Sequence, residues 1–221
     1  MAAGLCPANT AAAMTARVHK SVVELSTVLL TALLIVIPRI SIAQSDVLPR
    51  RGDVVADWKI YDCRNFGSQF VLRGIKARVD RGITRLDLHC AAVNRNGTLG
   101  TDIFLPGVGA VDGGSMVDRK CDAGTVVSGY QGSFQVPGLP YIESLRLRCK
   151  PIRADGLTAD GPLNTTAGAG ATTTRSWGPD NCTSGRPARA IRISYIDVFL
   201  LSGRQRAIES VALICSQATP K

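Results

Sequence analysis

Alternating apolar positions recur in three segments of the chain, and each alternation ends on a cysteine. The segments share the pattern Ile-x-x-(Leu or Val)-x-Leu-x-Cys and cover residues 83–90, 142–149 and 208–215. Apolar side chains at every second position are typical of a β-strand with one buried face, because successive side chains of a strand point to opposite faces. The pattern predicts three equivalent strands, each with its final cysteine on the buried face.

A second set of landmarks precedes each of these strands. A large apolar residue stands five positions before another cysteine, a glycine follows that cysteine within four positions, and a further apolar segment comes next. The three sets are Trp58, Cys63 and Gly67; Met116, Cys121 and Gly124; and Trp177, Cys182 and Gly185. A spacing of about sixty residues between equivalent landmarks indicates internal repeats, which take precedence over any local motif.

The repeats predict one all-β domain. Turn residues interrupt the chain at short intervals and helical periodicity is scarce, which favours short strands over helices. Three equivalent β units of this size predict a body with pseudo-threefold symmetry, in which the apolar faces of three sheets converge on one axis. The predicted domain covers residues 54–217, with repeats at about 54–93, 112–153 and 173–217 and loops at 94–111 and 154–172. Within this region, residues 157–174 are rich in Thr, Ala and Gly and are expected to form an exposed, mobile linker.

The first residues of the chain differ from the rest. A basic segment ends at Lys20, an apolar run follows over residues 22–38, and Ser41 and Ala43 place small residues before a cut at Gln44. This three-part layout is typical of a secretory signal peptide, and the run is short for a membrane span, which needs roughly 20 apolar residues. We predict a cleaved signal peptide over residues 1–43, starting at Met1 or Met14, a tail over 44–53, and a secreted or periplasmic protein without a stable membrane span.

Export determines how the cysteines are interpreted. The chain has seven, and cleavage removes Cys6, which leaves an even set in an oxidising compartment, where disulfides form. Equivalent repeats are expected to close equivalently, which predicts the pairs Cys63–Cys90, Cys121–Cys149 and Cys182–Cys215. Zinc binding would need closely spaced Cys or His pairs, which the sequence lacks, and we expect neither a metal nor a cofactor.

The third repeat resembles a known family. It carries Trp177-Gly178, then Cys182 and Gly185, and later the closing pattern of residues 208–215, a combination similar to the vitelline membrane outer layer protein family. In that family three such repeats form a β-prism, in which three antiparallel sheets pack as the sides of a triangular prism. The resemblance implies this fold for most of residues 54–217, with a β-trefoil as the alternative. The acidic Asp-Asp-Thr stretch that the family carries before the closing strand is absent here, which puts a shared ligand in doubt more than a shared fold.

The net positive charge of the chain makes the outer faces of the strands candidate binding surfaces. The full chain has a net charge of +9, which favours anionic polymers, whereas the few aromatic residues are not interleaved with basic ones as nucleic-acid binding would require. The leading hypothesis is an exported, non-enzymatic module that binds glycan or an anionic envelope or matrix component. The alternative is a purely structural envelope or matrix protein. The candidate residues for an anionic ligand are Arg146, Arg148, Lys150, Arg189 and Arg192.

Catalysis is the less favoured interpretation. His89 is the one histidine after the signal peptide and is expected on the solvated outer face of its strand. A carbohydrate-active enzyme would need paired carboxylates, and the candidates in one region are Asp102, Asp112, Asp118 and Asp122. The adhesion-like tripeptide Arg51-Gly52-Asp53 is interpreted as a chance match, and the sequons at Asn96, Asn164 and Asn181 as acceptors only in a eukaryotic source.

Overall fold

The protein is described here from a computed structural model. The structure describes residues 46–52, 58–134, 141–171, 175–200 and 203–221. The predicted signal peptide therefore lies outside the described residues. The strands are β1 Asp46–Val47, β2 Lys59–Asp62, β3 Phe70–Asp80, β4 Gly82–Val93, β5 Leu99–Leu105, β6 Ser115–Lys120, β7 Thr125–Phe134, β8 Ile142–Pro151, β9 Asn164–Thr165, β10 Arg175–Asn181, β11 Ala188–Leu200 and β12 Gly203–Cys215. One 3-10 helix covers Cys63–Phe66. In the described part of the chain, no helix is long and apolar enough to cross a membrane.

The strands form three four-stranded antiparallel sheets, each built around one long hairpin. The sheet orders are β5-β4-β3-β6, β10-β7-β8-β9 and β1-β12-β11-β2. The hairpins β3–β4, β7–β8 and β11–β12 come from the three sequence repeats, and their second strands contain the three segments with alternating apolar residues. The period-two pattern was therefore sufficient to locate the centre of every sheet.

The strand that opens each repeat leaves its own hairpin and pairs with another. Strand β6 precedes β7 in sequence but pairs with β3, and β10 precedes β11 but pairs with β7. Strand β2 precedes β3 but pairs with β11 of the last repeat. Each sheet therefore contains residues of two repeats, which links the three sheets into one body.

The fourth strand of each sheet lies in a segment that the sequence placed outside the repeats. Strands β5 and β9 follow their hairpins, within the expected loops 94–111 and 154–172. Strand β1 lies in the expected tail 44–53, although it pairs with β12 at the other end of the chain, and Arg51 bridges to Val211. Strands β1 and β9 have two residues each and lack an alternating pattern, so the unpaired edge of the hairpin, and not local propensity, determines their position.

The expectation of a mobile linker over residues 157–174 is wrong for its described part. Ala169 is fully buried, and it exchanges two backbone hydrogen bonds of 2.9 Å with Leu145. Thr166 donates its backbone N–H to the Leu147 carbonyl at 3.0 Å and accepts from the Leu147 N–H at its hydroxyl. Residues 164–171, here called the β9 arm, are thus bound along the edge of β8.

Glycine is required where each of these fourth segments passes its closing strand. The backbone φ angles are positive, and a Cβ atom would lie about 2 Å from a carbonyl oxygen of the neighbouring strand. The three cases are Gly52 (φ 99°, 2.1 Å from Glu209 O), Gly109 (φ 146°, 2.1 Å from Thr84 O) and Gly170 (φ 89°, 2.0 Å from Glu143 O). The glycine of the Arg51-Gly52-Asp53 tripeptide therefore serves the fold.

The inner faces of the three sheets share one hydrophobic core. It includes Ile75, Leu88, Leu147, Ile193 and Leu213, each fully buried or nearly so, as the alternating pattern predicted. The core also contains the three disulfides, which join the same cysteine pairs that the sequence predicted: Cys63–Cys90, Cys121–Cys149 and Cys182–Cys215.

The two tryptophans have different surroundings. Trp177 is buried in the core, with its ring centroid 4.9 Å from that of Tyr130 and 5.8 Å from that of Phe134. Trp58 is half-buried and packs against the guanidinium of Arg192 at 5.0 Å. Both contacts are packing contacts within the protein.

Candidate functional site

The five predicted anionic-ligand residues lie on two different sheets. Arg146, Arg148 and Lys150 alternate along β8 and have no acidic side chain within 4 Å in the described part of the chain. Arg189 is only 8% exposed and lies 3.3 Å from the Asp62 carboxylate, and Arg192 packs on a tryptophan ring. The structure therefore brings together the three residues of β8 but not all five.

Two clefts lie where neighbouring sheets meet. The β6–β9 cleft has a volume of about 320 Å³ between residues 118–122 and 164–167. The β10–β1 cleft has a volume of about 560 Å³ between residues 179–183 and 46–49. Each cleft is bounded by the opening strand of one repeat and the fourth strand of the adjacent sheet. Of the predicted glycosylation sites, Asn164 lines the first cleft and Asn181 the second.

Ion pairs occupy the carboxylates of the β10–β1 cleft. Arg51 binds both oxygens of Asp180, with its Nε at 2.7 Å and its Nη2 at 2.6 Å, and this contact raises the pKa of the Arg51 guanidinium. Asp46 lies 2.8 Å from Arg186 and also accepts a hydrogen bond from the Thr183 hydroxyl. The arginine of the adhesion-like tripeptide is thus already bound, and this cleft offers a ligand little unengaged charge.

The β6–β9 cleft contains polar side chains that are available to hydrogen-bond a ligand. Among the residues that the structure describes, the side chains of Asp122, Asn164 and Thr165 have no protein hydrogen-bond partner. Arg119 joins the two walls, because its Nε donates to the Gly168 carbonyl at 2.9 Å. Carboxylate, amide and hydroxyl groups thus line one cavity, and together they offer hydrogen-bond donors and acceptors suited to a ligand rich in hydroxyls.

Asp118 connects this cleft to the outer face of the neighbouring sheet. Its carboxylate is 45% exposed, and its Oδ1 lies 2.9 Å from Nε2 of His89. The pair is a full ion pair only when the imidazole of His89 is protonated.

The expectation that His89 is solvated is wrong. The residue is 1% exposed, and its ring lies under that of Phe104 at a centroid distance of 4.3 Å. It points to the outer face, as predicted, but the Phe104 ring of β5 packs against it there, and its register partner on β3 is Gly74, where a Cβ atom would lie 2.6 Å from the Arg119 carbonyl oxygen of β6. Burial lowers the pKa of His89, which the negative charge of Asp118 opposes.

The four candidate carboxylates of an enzyme are not gathered in one place. Asp118 and Asp122 line the β6–β9 cleft, whereas Asp102 is bound by Arg73 at 2.8 Å and by Lys120 at 3.4 Å. Asp112 lies in the exposed segment before β6. The described residues contain no group of three or more His, Cys, Asp or Glu that could hold a metal ion.

Comparisons with known proteins identify the fold. No protein-family model and no curated protein sequence matches the chain. Similar solved structures include frutapin, a lectin from Artocarpus incisa, at 10% identity and a TM-score of 0.51, covering 79% of this chain and 98% of the lectin. Single-chain recombinant jacalin matches at 15% identity and 0.51, covering 80% and 98%. Artocarpin complexed with Me-α-mannose matches at 12% and 0.50, covering 79% and 99%.

These likenesses show a fold and no more, because the identities are low. They confirm the all-β β-prism expectation, and the three separate four-stranded sheets are those of a β-prism and not of the alternative β-trefoil. Membership of the vitelline membrane outer layer family stays a prediction.

Proposed function

We propose that this chain is an exported, non-enzymatic β-prism module with three pseudo-threefold repeats, and that it binds carbohydrate in the β6–β9 cleft. The observation that carries the proposal is the set of unengaged polar side chains on both walls of that cleft, Asp122 on one and Asn164 and Thr165 on the other. Artocarpin, one of the structurally similar proteins, holds a mannose derivative, which supports a sugar as the ligand class. The three disulfides support export, because such bonds persist in oxidising compartments.

The chemistry of the cleft suits a hydroxyl-rich ligand. A sugar hydroxyl donates to a carboxylate or amide oxygen and accepts from an amide N–H or an ammonium, and the cleft offers each of these groups. Its volume of about 320 Å³ lies at the lower end of the range of small-molecule sites, roughly 300–1,000 Å³. The ligand is therefore a short stretch of a glycan, not a large folded partner.

The cations of β8 extend the proposed site toward acidic carbohydrates. Arg148 is the register partner of Thr165, and the Arg146 side chain lies so close to Gly168 that a Cβ there would be 3.2 Å from its Nε. The three cations recur every second residue, about 6.7 Å apart along a strand. They border the β9 arm and can contact negative groups of a glycan whose neighbouring unit occupies the cleft. The buried pair of Arg189 with Asp62 makes a packing role for that arginine the better proposal.

The test is a glycan array followed by calorimetric titration of the purified exported protein at pH 7.5. Replacing Asn164 by Ala should weaken binding by about tenfold or more, because the hydrogen bonds between the Asn164 amide and the ligand are lost. The matched control is Asn181→Ala, the corresponding change in the β10–β1 cleft, which should leave the affinity unchanged. Binding to no glycan would overturn the proposal and favour the purely structural envelope or matrix role. Release of shortened products from a bound glycan would contradict the non-enzymatic part.

A further inference from the structure

We propose that His89 determines the charge selectivity of the β6–β9 cleft, because protonation of its imidazole neutralises the field of Asp118 and lets the cleft bind acidic carbohydrate more tightly. This inference rests on the proposed function, since it concerns the same cleft. It assigns a role to a buried side chain that touches no ligand and lies behind the cleft wall.

The geometry places His89 where it can act on the cleft without entering it. The imidazole is 1% exposed, and its Nε2 lies 2.9 Å from the carboxylate of Asp118. That carboxylate is 45% exposed and lines the cleft, in which Asp122 is the other acidic side chain. Asp118 therefore carries half of the carboxylate charge that an acidic ligand would meet there.

The strands around the imidazole carry several charged groups, and Asp118 is the counter-ion that lies close to it. Strand β6 carries Asp118 and Lys120, and β5 carries Asp102, whose carboxylate is taken up by Arg73 of β3 and by Lys120. Lys76 of β3 lies 5.8 Å above the Phe104 ring, and Asp87 on β4 accepts from Arg85 at 2.9 Å. A positive charge on His89 is thus balanced mainly by Asp118, whose carboxylate is the one in direct contact with it among the residues that the structure describes.

Protonation changes what an approaching anion experiences. With neutral His89, the negative Asp118 repels a sulfate or carboxylate group of the ligand; with imidazolium at contact distance, that repulsion is largely cancelled. Burial lowers the pKa of His89, so this change occurs below about pH 6.5, the ordinary value of histidine. Removing one unit charge from a partly exposed cleft is expected to tighten binding of an anionic ligand roughly three- to tenfold.

The experiment compares two ligands across pH with the full exported protein. Affinities for a sulfated oligosaccharide and for a neutral one of the same length are measured between pH 7.5 and 5.0 at constant ionic strength. Sulfate stays ionised over this range, so the charge of the ligand is constant. The expected result is tighter binding of the sulfated ligand on acidification, with little change for the neutral ligand.

Two variants separate this role from a merely structural one. His89→Gln should abolish the pH dependence of sulfated-ligand binding. Asp118→Asn should bind that ligand tightly at every pH and also without pH dependence, because the carboxylate that raises the pKa of His89 is gone and the buried imidazole then stays neutral. Asp118 is partly exposed, so its substitution keeps the test valid if His89→Gln folds poorly. An equal pH slope in the wild type and in Asp118→Asn would overturn the inference, as would a loss of affinity on acidification. Binding at pH 7.5 without any pH slope overturns this inference alone, whereas no binding of either ligand at any pH overturns the proposed function with it.

Discussion

The β9 arm offers a sharp test of the fold, because one atom added to it should displace it. Gly170 has a φ of 89°, and a Cβ atom at this position would lie 2.0 Å from the Glu143 carbonyl oxygen, well inside any contact distance. The change Gly170→Ala therefore forces either a strained backbone or a shift of the arm away from β8. Because the arm forms one wall of the β6–β9 cleft, the same change should also weaken ligand binding.

The loss of stability expected for Gly170→Ala has two contributions. An alanine held at a left-handed backbone conformation costs about 1–2 kcal/mol. Moving the arm far enough to relieve the overlap breaks the two backbone hydrogen bonds between Leu145 and Ala169, each worth about 0.5–1.5 kcal/mol net. The expected decrease in the free energy of unfolding is therefore about 2–5 kcal/mol in total.

Gly124→Ala is the matched control. Gly124 also has a positive φ, 74°, but an added Cβ would meet no atom within 4 Å. In this variant the free energy of unfolding should decrease only by the conformational contribution, about 1–2 kcal/mol. Both variants are compared by urea denaturation with the disulfides intact, followed by the fluorescence of buried Trp177, and with the slope m checked for constancy. Equal destabilisation by the two substitutions would refute the packed position of the arm.

Three further predictions concern the disulfides, the pH dependence of stability and a buried hydroxyl. Replacing Cys121 and Cys149 by Ser should lower the free energy of unfolding by about 3–4 kcal/mol, because their link closes a loop of 28 residues; an unchanged urea midpoint would contradict this. Burial lowers the pKa of His89, so the unfolded chain binds the proton more readily and stability, complete above about pH 6.5, declines as the pH falls. Thermal scans of His89→Gln should show a flatter pH profile below pH 6.5, and a profile identical to that of the wild type would be evidence against the burial of this ring. Tyr130→Phe should cost about 1 kcal/mol in urea denaturation, because the hydroxyl donates to the Pro49 carbonyl at 2.7 Å, and no loss would mean that the segment around β1 is not docked.

Local periodicity explains which parts of the fold were predictable. The closing strands β4, β8 and β12 have long alternating patterns because each has one face in the common core, and that pattern is visible without a structure. The disulfide pairs followed from the equivalence of the repeats. The short strands β1 and β9 have no such pattern, since pairing with an open strand edge requires backbone groups and not particular side chains.

The candidate site was only partly predictable for the same reason. The alternation of Arg146, Arg148 and Lys150 on one face of β8 could be read directly, and the structure leaves these three without acidic partners in its described part. The cleft beside them joins residues 118–122 to residues 164–167, and no local signal connects those two segments. The burial of His89 involves the ring of Phe104 on another strand, so a pattern along β4 alone could not show it.

The sequence by itself determined the all-β class, the three closing strands and the cysteine pairs, because alternation and repetition are properties of neighbouring residues and of equivalent units. Only the tertiary structure decided which strand completes each sheet: β1 lies beside β12 across the whole length of the described chain, and β2, β6 and β10 pair with hairpins of other repeats. The physical reason is that edge pairing is selected by the open backbone groups and the space that the finished hairpins present. The clefts form where those edges meet, so their position too was a consequence of assembly.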